Sequence, residues 1–177
     1  MEILKSTKTG FLLNFKNITV CLNDEDKKAD VILFTELKNL TSTQETKIFD
    51  SPGEYEVKNC MIDGIAIGKN NTAYSIISED LRIGFINKID SQLSDDQIEA
   101  FAAVDVLILP IVGDKAEVTT KIVSQIEPKI IIAHDYNDDS LKLFIAEFGK
   151  DSEKVPKFKV SSKDLSDSEQ QRLVVIE

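Results

Sequence analysis

The hydrophobic pattern of this chain changes period near its middle, and that change limits the folds open to it. From Met1 to about Ser78, apolar residues come in short β-rich runs divided by turn residues. Gly10 to Phe15 and Asn17 to Leu22 read as two strands joined at Lys16-Asn17, and Asp30 to Thr35 as a buried strand. Pro52-Gly53 punctuates the chain before Glu54 to Val57, and strands over Cys60 to Ile67 and Thr72 to Ile77 come next, separated by a turn at Gly68 to Asn71. From Leu81 onward, strands alternate with helices. Leu81 to Ile86, Val104 to Leu109 (ending at Pro110) and Lys129 to Ala133 are strand runs, the last two continuously apolar and so expected to be covered on both faces. Between and after them lie three helical patterns. Ser94 caps the first, with Gln97 completing a capping box and Ile98, Phe101 and Ala102 as its apolar stripe. Lys115 to Ile126 is the second. Asp139 to Phe148 is the third, with Gly149 as its C-terminal stop. Phe158 to Val160 and Leu173 to Ile176 read as closing strands. Strands first and β-α units later predict an α+β or α/β layered fold with helices outside the sheets. No linker divides the 177 residues, so one domain over 1–177 is expected.

Charge and cysteine content narrow the function classes. A formal net charge of −10 argues against a nucleic-acid or anionic-membrane partner, since both recruit basic surfaces. The polar N-terminus with Lys5 and Lys8 lacks the apolar core of a secretory signal, and no apolar run is long enough to span a bilayer, so a cytoplasmic location is expected. Cys21 and Cys60 either form a disulfide or are two buried free thiols; a cytoplasmic setting favours the thiols. No phosphate-binding glycine loop and no Gly-x-Ser-x-Gly elbow occurs, and neither cysteine has a histidine nearby in sequence. Glu54 and Glu56 alternate on a strand, so they face solvent while Tyr55 and Val57 face inward.

Several phrases, taken in order, resemble one family. Ala29 to Thr35, Asp50 to Val57, Asn71 to Tyr74, Leu81 to Ile83, Leu93 to Gln97, Val104 to Pro110, Glu127 to Ile132, Lys163 to Leu165 and Arg172 to Val175 are similar to a short bacterial and archaeal branch of the metallo-β-lactamase superfamily, the Zn-dependent hydrolases of the β-lactamase fold. The resemblance implies a four-layer αβ/βα sandwich with its site at one edge, on loops that follow the strands. It also implies zinc in active members, held by histidines and carboxylates that leave a coordination position open for water.

At the positions where the resemblance places metal ligands, this chain carries other residues. Glu36 and Lys38 stand for the two leading histidines of His-x-His-x-Asp-His, Leu40 for its aspartate and Thr41 for its last histidine. Lys88 stands for the bridging aspartate. Asp135 takes the closing histidine's place, with His134, the only histidine, one residue earlier. Lys8 replaces a residue of a further loop at the same edge. The resemblance therefore implies a degenerate site (Lys8, Glu36, Lys38, Leu40, Thr41, Lys88, His134, Asp135), no catalytic or metal-binding residue, no cofactor, and a non-catalytic module binding an unidentified protein or small molecule, with oligomerisation open. The alternative is a hydrolase that needs no metal or uses a hard cation through Glu36 and Asp135, with help from Asp90. His134 is either a surviving ligand or a hydrogen-bonded histidine at a strand end, the second being favoured. Asp135, Asp138 and Asp139 either bind a cation or sit at the start of a helix, again the second. If lysines supply the lost cationic charge, Lys88 pairs with Asp135 or Glu36; otherwise each side chain is separately solvated.

Overall fold

A computed structural model of the protein describes all residues except 27, 39, 44, 90, 150 and 167–170, and only the backbone at 114 and 166. Its strands and helices, in chain order, are β1 (Glu2–Lys5), β2 (Phe11–Asn14), β3 (Thr19–Leu22), β4 (Val31–Leu33), β5 (Lys47–Phe49), β6 (Gly53–Val57), β7 (Cys60–Ile67), β8 (Asn71–Ser78), β9 (Leu81–Phe85), α1 (Asp95–Ala100), β10 (Val106–Pro110), α2 (Ala116–Ile126), β11 (Ile130–His134), α3 (Asp138–Phe148), β12 (Ser152–Val155), β13 (Phe158–Lys159), α4 (Ser162–Ser166) and β14 (Arg172–Ile176). They form two sheets. The smaller has the order β13-β1-β2-β3-β4-β5 and the larger β12-β14-β11-β10-β9-β8-β7-β6. In the large sheet β6 to β9 are antiparallel hairpin strands, whereas β9, β10, β11, β14 and β12 run parallel.

Side-chain alternation builds the core. On β2, Phe11 and Leu13 are buried while Leu12 and Asn14 are half-exposed, as one-faced strands demand. The inward sets of both sheets, including Val20, Leu33, Ile62, Tyr74, Ile83, Phe85, Val106 and Ile132, meet in one cluster between the sheets. β10 and β11 are buried at every position, because their other face (Leu107, Leu109, Ile131, Ala133) packs beneath Ile122, Val123, Leu141 and Phe144 of α2 and α3. The outward row of the small sheet, Leu12, Cys21, Ile32 and Ile48, is in register across β2 to β5 and packs with Ala29 and Phe34.

The helix signals act as expected at their ends. Ser94 and Gln97 exchange capping hydrogen bonds with each other's backbone. Gly149 takes the left-handed conformation that ends α3. Several details differ. Ala102 lies beyond the end of α1 and is exposed, so the stripe there is Ile98 and Phe101 alone. β10 begins at Val106 rather than Val104, and it ends at Pro110. β1, β5, β12 and α4 had no clear sequence signal. Cys21 and Cys60 are buried free thiols. Burial raises both thiol pKa values to about 11, so neither has thiolate character at neutral pH.

One side chain ties the sheets together near the loops. Tyr74 of β8 is fully buried, and its hydroxyl donates to the carbonyl of Phe34, just past β4, at 2.7 Å and lies 3.2 Å from that of Phe49 in β5. Tyr74→Phe preserves the packed ring and removes only that tie. It is expected to destabilise the protein by about 1–3 kcal/mol, because the Phe34 carbonyl loses its donor while that of Phe49 keeps the Phe34 N–H. Urea unfolding measures this, and an unchanged midpoint contradicts the assignment.

Candidate functional site

The strand directions bring many loops to one edge of the sandwich. The Ser6–Gly10 turn precedes β2, and Asn23 follows β3. Thr35 to Thr41 follows β4, Gly68 to Asn70 joins β7 to β8, Asn87 and Lys88 follow β9, and Asp135 follows β11. Thr35 is the node that joins them. Its N–H donates to Asn23 Oδ1 at 2.9 Å, and its hydroxyl lies 3.1–3.2 Å from both side-chain polar atoms of Asn23 and 3.2 Å from the donating amide of Asn87. Its carbonyl accepts the Thr72 N–H at 2.8 Å, a bond from one sheet to the other. Asn23 holds φ 49°, a left-handed conformation that asparagine tolerates better than most residues. Sequence reading did not single out Asn23 or Asn87. The available signal was an asparagine just past an apolar strand run.

The residues expected at the degenerate site are scattered over this edge. Glu36 and Lys38 flank a polar pocket with Thr9, Asn23, Thr35 and Asn87, and Glu36 also borders a wider cleft along Ser51, Pro52, Ala66 and Asn71. The Lys38 backbone N–H donates to an Asp50 carboxylate oxygen at 2.9 Å, and its ammonium stands 5.6 Å from the Phe34 ring centroid. Leu40 and Thr41 are exposed. Asp135, with φ 48°, is paired with Lys8 at 2.6 Å; their side chains are 32% and 76% exposed, so the pair is worth roughly 0–1 kcal/mol. The Lys88 expectation therefore needs correcting. Lys88 is exposed, and among the described residues it pairs with neither Asp135 nor Glu36. The loop after β9 is instead joined to the start of β8 through the Lys88 backbone, whose carbonyl accepts from the Asn71 amide at 3.4 Å. Asp138 and Asp139 occupy the first turn of α3, which Asn137 caps. Asp90 lies outside the described residues.

His134 has a different fate from its neighbours. It is completely buried at the end of β11, with Phe11 and Phe85 at ring-centroid distances of 5.7 and 5.9 Å. Its Nε2 lies 3.0 Å from the Ile86 carbonyl. A carbonyl only accepts, so Nε2 carries the hydrogen, and the bare Nδ1 sits in the core without a hydrogen-bond partner. Proline explains this geometry. The Ile86 N–H donates to the Ile108 carbonyl, and continuing that parallel ladder calls on the N–H of residue 110 to reach the Ile86 carbonyl. Residue 110 is proline and has no N–H. His134, the register partner of Pro110 on β11, supplies the missing donor from its ring. Burial holds the imidazole neutral, with its pKa pushed down to about 4.

Among the described residues, no group of three or more His, Cys, Asp or Glu is placed to hold a metal ion. The imidazole is turned into the core, and the Asp135 carboxylate is engaged by an ammonium group.

Comparison with known proteins gives the fold a family. Residues 11–134 match the model of a family described as beta-lactamase superfamily domain. A structure from Thermotoga maritima, described as a Zn-dependent hydrolase of the metallo-beta-lactamase superfamily, superposes with a TM-score of 0.81 at 21% identity and covers 99% of this chain and 98% of its own. A metal-dependent hydrolase from Parabacteroides distasonis (TM-score 0.61, 13% identity, 96% and 90% covered) and the metallo-beta-lactamase fold protein YhfI from Bacillus subtilis (0.61, 12%, 95% and 88%) share the architecture. At these identities the likeness is one of fold. A search of curated proteins gives no match.

His134 generates a pH prediction. Its folded pKa near 4 lies below the unfolded value near 6.5, so the unfolded chain binds a proton that the folded one refuses. This group's contribution to stability is therefore full above about pH 6.5 and is lost as pH falls toward 4, by roughly 3 kcal/mol. The single histidine Cε1–H resonance should stay in its neutral position down to pH 5 in the folded protein. A titration midpoint near 6.5 contradicts the burial argument.

Proposed function

We propose, for a chain that belongs to the beta-lactamase superfamily and has the metallo-β-lactamase fold, a non-catalytic role as a binding or assembly module, one cytoplasmic domain over residues 1–177. The observation that carries this reading is the state of His134. An imidazole ligand must offer a bare nitrogen to the cleft. The only imidazole in this chain gives its N–H to the Ile86 carbonyl and keeps its bare nitrogen inside the core. Supporting it, Lys38 places a cation beside Glu36 and Lys8 neutralises Asp135, so both carboxylates at ligand positions already have a positive neighbour in space or sequence. Hydrolytic metal sites are sensitive to losses of this kind, since ligands and the groups that orient them each matter by orders of magnitude. The cytoplasmic assignment rests on two buried thiols left unpaired. In addition, no helix among the described residues is long and apolar enough to cross a membrane.

Metal titration tests the reading. By calorimetry, zinc, magnesium and calcium are expected to show no stoichiometric binding tighter than about 10 μM. EDTA is expected to leave the thermal midpoint in place, because the core described above needs no metal staple. A stoichiometric, sub-micromolar isotherm abolished by Asp135→Ala, or turnover on a panel of phosphodiesters, lactones and β-lactams, establishes the hydrolase alternative instead.

A further inference from the structure

We propose that the polar pocket beside Thr35 binds a small organic molecule through an oxyanion headgroup, a carboxylate or a phosphate. This deepens the non-catalytic binding reading and rests on it. The pocket has a volume of about 200 Å³, enough for such a headgroup but small for a whole metabolite. Through Glu36 it adjoins a cleft of about 620 Å³ with a mixed lining, Leu37, Pro52 and Ala66 beside Asp50, Lys69 and Asn71, which has room for the body of the molecule.

The donor set selects the headgroup. Asn23 and Asn87 each spend an amide N–H on the Thr35 hydroxyl, and each amide nitrogen has a second hydrogen. Thr9 adds a hydroxyl on the facing turn. Lys38 adds an ammonium held close by two anchors: its backbone N–H is fixed to Asp50, and its side chain lies over Phe34, itself a pocket wall. Against these stand the Glu36 carboxylate and Asn87 Oδ1, a buried acceptor with no hydrogen-bond partner. The charges of Lys38 and Glu36 cancel, and among the neutral groups the remaining amide hydrogens of Asn23 and Asn87 and the Thr9 hydroxyl outnumber the one amide oxygen, which favours a group that mainly accepts. The net charge of −10 opposes any anion at long range, but at physiological ionic strength the screening length is about 8 Å, so the local donors prevail and affinity is modest.

The test is a ¹H–¹⁵N NMR titration with sodium phosphate and with sodium acetate, against sodium chloride at matched ionic strength. Saturable shifts centred on Thr9, Asn23, Thr35 and Asn87 are expected with at least one oxyanion, and whichever saturates identifies the headgroup. Lys38→Met should weaken that binding about tenfold, the loss expected for one charge-assisted hydrogen bond. Glu36→Gln should tighten it by about threefold, as removal of an exposed like charge does. Both side chains are exposed, so the fold does not depend on them. Shifts no different from chloride, or weaker binding in Glu36→Gln, overturn the proposal. Phenyl phosphate separates it from the reading beneath it. Recovered intact after binding, the probe supports both. Release of phenol and phosphate by water overturns the non-catalytic role and leaves the pocket assignment standing.

Discussion

A sandwich that gathers its loops at one edge must stop the two sheets from splaying there, and Thr35 is where this one does so. Its backbone and hydroxyl reach β3 through Asn23, β8 through Thr72 and the end of β9 through Asn87. Tyr74 adds a tie a few residues away. Each such bond contributes on the order of 1 kcal/mol net, but a buried group left without its partner costs more than the bond contributes. The network therefore holds as a unit, and it specifies one arrangement of the loops. Metal–ligand bonds can tie loops from several strands in the same way; here amides and one hydroxyl do it.

The parts of this architecture legible in the sequence were those with local causes. β10 and β11 announce themselves as unbroken apolar runs because both faces are covered. α1 shows its start because a capping box is written within four residues. β1 is different: it buries Ile3 alone, and its place depends on partners at Leu13 and Phe158 that no local signal announces. β12 is a charged edge strand, Ser-Glu-Lys-Val, whose pattern is that of a loop. β5 is three half-buried residues.

The site divides along the same line. A resemblance could say which residues stand at ligand positions, but not which of them meet. Asp135 pairs with Lys8, far away in sequence, and not with Lys88, although the loops that carry all three lie at one edge. Asn23 and Asn87 were hidden for another reason. Asparagine is common in loops, and nothing in a string of residues distinguishes one that bonds a buried threonine from one that bonds water.

The proline at the end of β10 makes two positions on neighbouring strands depend on each other. Pro110 deprives the Ile86 carbonyl of its backbone donor, and His134 has taken over that duty between Phe11 and Phe85. The imidazole is thus mortgaged to a backbone defect on the neighbouring strand. Neither position is then free to change alone: replacing His134 leaves the Ile86 carbonyl without a donor inside the core, whereas an amide hydrogen at residue 110 makes the ring's bond redundant. A missing hydrogen on one strand thereby decides which side chain the next strand must carry.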